Sequence, residues 1–283
     1  MIDKDIPDLA IIIPTYNRRK VTVACVSSLL SNNYPKNKIF ICDSDSKDGT
    51  REAVAVYPDV IVINVGDEVW WSGAVNRGIE LAMKGNFDCV LLINDDITIP
   101  KNIISQLFGK SRRYPNKIIS PAQIDKSGIY LGTKYSGKFR KVNRINKGLN
   151  AEPTDVDSSN GCCLLIPMET FRIAGLFDEK HCPHIIADVE FQLRARDYGY
   201  STIAVPDVII EQHPNTDYDS KMRLRSLLTG KGSPHHLISF LTFGRRLYGS
   251  WFRFVIFGAI SQYIYFRSLL RGIYVAVFRN KSI

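Results

Sequence analysis

Two adjacent carboxylates follow a short apolar segment of the sequence. Asp95 and Asp96, preceded by Asn94, come directly after the apolar residues 90–93. An apolar run of this length is typical of a strand that is buried on both faces. Carboxylates at the end of such a strand can hold a hard divalent cation together with phosphate oxygens. A solvated turn is the alternative, because Asp favours turns whatever its function.

Two further polar clusters follow apolar segments earlier in the chain. Residues 15–18, Thr-Tyr-Asn-Arg, come after the apolar run 9–13, and residues 43–46, Asp-Ser-Asp-Ser, come after 39–42. In an open parallel sheet, ligands bind beyond the carboxyl ends of the strands. The sequence therefore predicts that all three polar clusters lie together at one edge of a sheet.

Apolar and helical segments alternate through the first hundred residues, which indicates βαβ units and a mostly parallel α/β sheet. Strands are predicted at 9–13, 39–42, 60–63 and 90–93, and helices at about 19–31, from about 50, and at about 72–84. Later elements are β-like segments over 117–166, a helix at 188–198 and strands near 201–211. Residues 132–138 have the glycine spacing of a phosphate-binding loop, but Phe139 replaces its Ser or Thr, so a β-hairpin is expected there.

The charge of the 283-residue chain is unevenly distributed. Residues 220–283 carry 11 Lys and Arg and no carboxylate, whereas residues 1–219 carry 26 basic and 28 acidic residues. With 45% hydrophobic and 11% aromatic residues, the chain does not have the composition of a disordered protein. We expect one globular domain over 1–219 and a basic helical extension over 220–283.

The basic extension also contains aromatic and aliphatic residues between its charges. Its uncharged runs, such as 254–266, are all shorter than the ~20 residues that cross a bilayer. This pattern predicts amphipathic helices on an anionic membrane surface. A helical hairpin buried in a homo-oligomer is the alternative. A nucleic-acid partner is not expected, because it would leave the three polar clusters unexplained.

The sequence shows no sign of secretion. Its six cysteines lie mostly in apolar surroundings without a C-x-x-C pair, as expected for buried thiols in a reducing compartment. The first residues lack the basic segment and apolar run of a signal peptide. We therefore expect a cytoplasmic protein, peripheral on the inner face of the cell membrane.

Over about residues 8–215, the ordered motifs resemble the family 2 inverting glycosyltransferases of the GT-A fold. The segments that carry the resemblance are 14–18, 43–50, 70–78, 94–96, 175–179, 188–190 with Arg194, and His213. The resemblance implies a Rossmann-like GT-A domain with a mostly parallel central sheet. It also implies transfer of a sugar, with inversion, from a nucleotide diphosphate sugar to a glycan or lipid-linked acceptor in surface polysaccharide or O-antigen synthesis.

The resemblance implies roles for individual residues on the donor side. Asp43 would hydrogen-bond the nucleotide base, Asp95 would position the sugar or the metal, and Asp96 would bind Mn²⁺ or Mg²⁺ with His213. An imidazole ligand would favour Mn²⁺, because Mg²⁺ prefers oxygen. The other implied donor-binding residues are Pro14, Thr15, Tyr16, Asn17, Arg18, Ser46, Trp71, Gly73, Asn76 and Asn94. Each of three residues also has a purely structural alternative: an Asx turn for Asp43, a loop position for His213 and core packing for Trp71.

Asp188 is the catalytic base that the resemblance implies. Inversion in one displacement needs a group that takes the proton of the acceptor hydroxyl, and a carboxylate suffices. The family supplies it from a Glu-Asp pair at a helix start, whereas this chain has Ala187-Asp188, so the first acid is absent. Helix capping is the structural alternative. The implied acceptor contacts are Asn160, Gly161, Glu190 and Arg194.

The donor is expected to carry uridine, with thymidine as the second choice. A sugar nucleotidyltransferase is the alternative activity, because that class shares the α/β core and an acidic metal site.

Overall fold

A computed structural model of the chain describes residues 7–32, 34, 37–125, 128–136, 141–146, 148, 151–212, 236–250, 267 and 270. Within these residues, ten strands form one sheet and two strands form a second, smaller sheet. The elements are β1 (Leu9–Thr15), α1 (Arg19–Leu30), β2 (Asn37–Asp43), α2 (Thr50–Val54), β3 (Val60–Asn64), α3 (Trp71–Met83), β4 (Cys89–Ile93), β5 (Ile97–Thr98), α4 (Ile103–Arg113), β6 (Ile118–Asp125), β7 (Gly128–Tyr130), β8 (Gly132–Ser136), β9 (Lys141–Ile145), β10 (Thr154–Val156), β11 (Cys163–Pro167), α5 (Met168–Ala174), α6 (Ala187–Asp197), β12 (Thr202–Gln212) and α7 (Leu237–Tyr248).

The first four long strands are parallel neighbours in the sheet, in the order β3, β2, β1, β4, and β6 and β12 form a further parallel pair. Residues 9–13 of β1 are completely or almost completely buried, because helices cover both faces of this strand. Gly78 of α3 permits the close packing on one face, since a Cβ there would lie 2.7 Å from the Sγ of Cys42. The predicted mostly parallel α/β sheet is confirmed for these strands.

Strand β11 interrupts the parallel order between β4 and β6. It runs antiparallel to β4, with Cys163 opposite Ile93. The start of β11 therefore lies at the carboxyl end of β4, where Asn94 donates its backbone N–H to the carbonyl of Cys162 over 2.9 Å. This arrangement brings the segment before β11 to the edge of the sheet that carries the polar clusters.

The remaining predicted elements are present with small differences. The β-like region contains β6 to β11, with β8 and β9 as the expected hairpin. The strands expected near 201–211 form one strand, β12, whose register shifts between Val205 and Ile209, around Pro206. Proline supplies no N–H to a ladder, so an irregularity there is expected. The cysteines are free, and five of the six are buried.

Helix α7 is the helix of the basic extension that the structure describes. Leu247 and Tyr248 of α7 pack against Leu193 of α6. Apart from residues 236–250, 267 and 270, the extension over 220–283 lies outside the described residues. In the part of the chain that the structure describes, no helix is long and apolar enough to cross a bilayer.

Candidate functional site

The polar loops that follow β1 and β2 are hydrogen-bonded to each other. The backbone N–H of Asn17 donates to Oγ of Ser46 over 2.8 Å, and its Oδ1 accepts from the N–H of Lys47 over 2.7 Å. Asn17 has a φ of 51°, a conformation that Asn tolerates better than most residues. Asn17 and Ser46 thus join the first two polar clusters and shape the loops between them.

Asp43, at the end of β2, is completely buried and uses its two carboxylate oxygens differently. Its Oδ2 accepts from the N–H of Ser46 over 3.1 Å and from Arg51 over 3.0 Å. Its Oδ1 has no hydrogen-bond partner among the described residues. An unsatisfied buried carboxylate oxygen is costly, so a ligand donor at Oδ1 would be favourable. Asp43 can therefore hold its Asx turn through Oδ2 and contact a ligand through Oδ1.

Asp95, at the end of β4, is surrounded by donors from the β1 region. Its carboxylate accepts from Arg18 over 2.6 Å, from Thr22 over 3.0 Å and from Thr15 over 3.1 Å. Burial raises the pKa of Asp95, an effect opposed by the charge of Arg18. Asp95 thereby fixes Arg18 and the start of α1 beside β4. The sequence motifs did not predict the contact of Thr22 with Asp95, because Thr22 lies inside a helix and only the fold brings it to β4.

Asp96, the residue after Asp95, has one carboxylate oxygen near an arginine and one that is unpaired in the described part of the chain. Its Oδ2 lies 3.6 Å from the guanidinium of Arg18, and its buried Oδ1 has no hydrogen-bond partner among the described residues. Such an oxygen suits a divalent cation that also binds phosphate oxygens. Within the described ranges, no three His, Cys, Asp or Glu side chains are close enough to hold a metal together. The other implied ligand, His213, lies outside the described residues.

A cavity of about 420 Å³, here called the β1 cavity, opens beside the end of β1. It is lined by Pro14, Thr15, Tyr16, Arg18, Ser44, Asp67, Val69, Trp70, Trp71, Ala74, Asp95 and His184. Five of the implied donor-binding residues in addition to Asp95 therefore line one cavity. Asp43 and Asp96 are not among its lining residues. Asp96 nevertheless contacts Arg18, which does line the cavity.

A second cavity of about 280 Å³, here called the α6 cavity, adjoins the first. It is lined by Trp71, Asn94, Asn160, Gly161, Cys162, His184, Ile185, Ile186, Asp188 and Gln212. Trp71 and His184 line both cavities, so the two cavities adjoin at these side chains and are together called the cleft. Trp71 donates its indole N–H to Oδ1 of Asn94 over 3.0 Å and packs edge-on against Phe177. The sequence left two roles open for Trp71, core packing and a place in the binding site, and its position in the structure is compatible with both.

Asp188 lies in the first turn of α6 and lines the α6 cavity. Its Oδ2 accepts from the N–H of Gly161 over 2.6 Å, and its Oδ1 accepts from Val189 over 2.9 Å. Burial raises the pKa of its carboxyl, although these two hydrogen bonds lower it. The helix begins at Ala187 after Ile186, so Asp188 is not the capping residue. A carboxylate in this setting can accept a proton from a hydroxyl in the cavity.

Ile186, directly before α6, has a φ of 64°. A β-branched residue rarely adopts this left-handed conformation, which costs about 1–3 kcal/mol and is often found at functional sites. The strain turns the chain into α6 at the point where Asp188 enters the cavity. Nothing in the sequence marks this position, since Ile is a poor candidate for positive φ.

Gly73 and Asn76 of α3 are occupied by contacts with the segment after α5. The Asn76 amide donates to the carbonyl of Phe177 over 2.9 Å and accepts from its N–H over 3.0 Å. A Cβ at Gly73 would lie 2.8 Å from Oε2 of Glu179. Neither residue lines the β1 cavity or the α6 cavity. Both hold α3 in place, and the structure does not bring them together with the donor-side residues.

Glu190 and Arg194 likewise lie away from the cleft. They pair with each other over 3.1 Å, and Arg194 also donates to the carbonyl of Leu176 over 2.7 Å. Glu190 is almost completely buried and also contacts Arg246 of α7. The four implied acceptor residues are thus divided: Asn160 and Gly161 line the α6 cavity, whereas Glu190 and Arg194 form a network behind it.

Comparisons with known proteins identify relatives of the chain. Agl10 of Haloferax volcanii, a low-salt glycan biosynthesis hexosyltransferase, is 27% identical over 197 residues, or 67% of this chain and 62% of Agl10. WfgD of Escherichia coli, a UDP-Glc:alpha-D-GlcNAc-diphosphoundecaprenol beta-1,3-glucosyltransferase, is 29% identical over 99 residues, or 35% of this chain and 39% of WfgD. The matched region spans less than two thirds of the length of either relative.

Solved structures share the fold. The crystal structure of GalNAc-T7 with UDP, GalNAc and Mn²⁺ matches with a TM-score of 0.66 and 14% identity, over 87% of this chain and 48% of that chain. This likeness confirms the predicted GT-A fold with its mostly parallel central sheet. The family model described as Glycosyl transferase family 2 matches residues 10–167. Because that match covers more than half of the chain, the protein belongs to glycosyl transferase family 2.

Proposed function

We propose that the protein is a metal-dependent inverting glycosyltransferase. It would move a sugar from a UDP-sugar, or alternatively a dTDP-sugar, to a hydroxyl of a lipid-linked glycan in surface polysaccharide synthesis. The observation that carries the proposal is the pair of adjoining cavities, of which one is lined by Arg18 and Asp95 and the other by Asp188. The donor would occupy the β1 cavity and the acceptor the α6 cavity, with the transferred sugar beside Trp71.

On the donor side, three groups would act on the nucleotide diphosphate. Asp43 does not itself line the β1 cavity but directly precedes Ser44, which does, and its Oδ1 would accept a hydrogen bond from a ring N–H of a base bound beside Ser44. Oδ1 of Asp96 would bind the cation, and His213 remains the proposed second ligand. A bound divalent cation stabilises the charge that develops on a leaving diphosphate. The GalNAc-T7 structure, which contains UDP and Mn²⁺, supports uridine and manganese as first choices.

On the acceptor side, Asp188 would take the proton of the attacking hydroxyl. Each of its carboxylate oxygens accepts one backbone hydrogen bond and retains a further lone pair. Because burial raises the pKa of this carboxyl, it is a stronger base than an exposed aspartate. Ala187, where the family has an acid, is completely buried and offers no contact to an acceptor.

The lipid-linked acceptor and the membrane location rest on two observations. WfgD is named for an acceptor linked to diphosphoundecaprenol. The extension over 220–283 carries 11 basic residues and no carboxylate, which favours an anionic membrane surface on the cytoplasmic side. A homo-oligomer built through the same extension is the alternative, and co-flotation with anionic liposomes at low salt distinguishes the two.

Thermal unfolding with UDP, dTDP, GDP and CMP, each with and without Mn²⁺, tests the donor site. A ligand at a hundred times its dissociation constant stabilises a protein by about 2.7 kcal/mol. We expect one nucleotide to stabilise the protein only with metal, and Asp96→Ala to abolish the effect. Asp59→Ala, which removes an exposed carboxylate paired with Lys38, is the control and should retain it.

The proposal fails if none of the four nucleotides changes the unfolding temperature. With the stabilising nucleotide known, mass analysis of the products separates the two activities. A glycosyltransferase consumes the nucleotide sugar and releases the nucleotide diphosphate, whereas a nucleotidyltransferase forms the nucleotide sugar.

A further inference from the structure

Helix α6 carries Asp188 on one side and Glu190 on the other. The two residues are two positions apart, which is about 200° around an α-helix. Asp188 therefore faces the α6 cavity, while Glu190 faces α7. A group that fixes Glu190 also fixes the turn that carries Asp188.

The Glu190 carboxylate is held by two arginines in a nearly dry setting. Its side chain is 2% exposed, and its Oε1 lies 3.2 Å from both Nε and a terminal nitrogen of Arg246. Arg194 contacts the same carboxylate over 3.1 Å. Arg246 also lies 3.7 Å from Asp197 at the end of α6. Arg246 thus contacts α6 near both of its ends.

The start of α7 contacts the segment that leads to another wall of the α6 cavity. Oγ of Ser239 donates to the carbonyl of His181 over 3.0 Å, and the ring of His236 contacts the same hydroxyl over 2.8 Å. His181 begins the short segment that reaches His184, Ile185 and Ile186 in the cavity wall. Contacts from α7 therefore reach both α6 and the segment that precedes it.

We propose that Arg246 is a positioning residue, which holds the Asp188 carboxylate through Glu190 in the orientation needed for proton transfer. Helix α7 of the basic extension is then a supporting part of the acceptor site. This inference rests on the proposed role of Asp188 as the base. Arg245, the next residue along α7, is exposed and does not contact Glu190 in the described ion pairs, so it provides a matched control.

The test uses the full chain labelled with [15N]glycine, and reads the Gly161 amide proton by NMR. We expect the 2.6 Å hydrogen bond to Asp188 to shift this proton downfield, and the resonance would be assigned by its upfield movement in Asp188→Asn. We expect Arg246→Gln to move the Gly161 resonance upfield and Arg245→Gln to leave it in place. Arg246→Lys, which keeps the charge but loses the two-point contact, should give an intermediate position.

A Gly161 resonance that stays at its wild-type position in both Arg246 variants overturns the proposal. Should Arg246→Gln not fold, the Arg246→Lys variant decides alone. When the donor is identified, transfer by Arg246→Gln should be slower by about tenfold or more at an unchanged donor KM, because a small misplacement of a catalytic group is costly. The NMR result needs no substrate, so it can fail or succeed independently of the proposed function.

Discussion

The backbone N–H of Gly161 lies 2.6 Å from Oδ2 of Asp188, so the loop before β11 orients the carboxylate that α6 supplies. A Cβ on residue 161 would lie 2.8 Å from the Cβ of Asp188. Real Cβ contacts are essentially never this short. Glycine is therefore required at 161 for the two segments to meet.

Gly161→Ala is expected to displace Asp188 and to slow sugar transfer. Because the added methyl meets the Cβ of Asp188 and not a flexible chain end, α6 or the loop must move. A displacement approaching 1 Å costs about a hundredfold in rate. Steady-state transfer kinetics measure the effect, and nucleotide binding in the β1 cavity should be unchanged.

Gly109→Ala is the matched control for this substitution. Gly109 lies in α4 with no atom within 4 Å of its added Cβ. Alanine is favoured over glycine in a helix by about 1 kcal/mol, so the control should be slightly more stable and equally active. Equal losses of activity in both variants would refute the steric explanation.

The raised pKa of Asp188 predicts a specific dependence of stability on pH. Between the ordinary aspartate pKa and the raised value, the folded protein binds a proton that the unfolded chain has released, so unfolding becomes easier as pH rises. Asp188→Asn lacks this ionisation. The unfolding free energy of the variant should therefore increase relative to wild type across that pH range, and stop changing above it.

Denaturant unfolding of wild type and Asp188→Asn at matched pH values measures this difference. The substitution also changes the hydrogen bond from Gly161, but that effect does not depend on pH. A difference that is constant across the range would show that the pKa of Asp188 is not raised. Transfer by the wild type should increase over the same range, because only the ionised carboxylate accepts a proton.

The elements around the donor side could be predicted because local patterns determine them. Runs such as 9–13 and 90–93 are apolar throughout and end at Pro14 and Asn94, so their strands and polar ends are visible in the sequence. Asp95 and Asp43 follow directly from this register. Their buried positions need only the parallel order of the strands.

The acceptor side could not be derived in the same way, because long-range contacts determine it. Glu190 and Arg194 are charged residues of the kind that bind sugars. In the structure, however, Glu190 is buried in ion pairs with Arg194 and with Arg246 of α7. Helix α4 lies outside this side and is encoded locally, because its buried residues Ile103, Ile104, Leu107 and Phe108 recur at helical spacing. The positive φ of Ile186 depends on packing that no local pattern encodes.

Asn76→Asp is expected to destabilise the fold without weakening nucleotide binding. The substitution replaces the amide donor that meets the Phe177 carbonyl by a carboxylate oxygen, which leaves the buried carbonyl unsatisfied. The expected loss is about 1–3 kcal/mol of unfolding free energy. Urea denaturation measures it, and Asn64→Asp, whose exposed side chain keeps its acceptor role toward Gly66, should change little.

The opposite pattern would restore Asn76 to the donor site. If Asn76→Asp keeps its stability and loses affinity for the nucleotide, the side chain acts on the ligand and not on Phe177. Calorimetric titration of both Asn variants with the stabilising nucleotide and Mn²⁺ separates these two outcomes.

Asp43→Asn is expected to weaken nucleotide binding, because the amide cannot satisfy both Arg51 and a ligand N–H. If the amide oxygen of the variant keeps the contact with Arg51, its NH₂ group takes the place of Oδ1. The NH₂ group would then face the N–H of the base, and two hydrogen-bond donors cannot bond to each other. A hydrogen bond to a charged group contributes about 1.5–3 kcal/mol, so affinity should fall about ten- to a hundredfold. Asp45→Asn is the control, since Asp45 also contacts Arg51 but is partly exposed in the same turn. Calorimetry of the two variants distinguishes a contact at Oδ1 from a general loss of negative charge. If Oδ1 contacts the base, only Asp43→Asn loses affinity. Equal losses in both variants would mean that Arg51 and the charge of the turn determine binding.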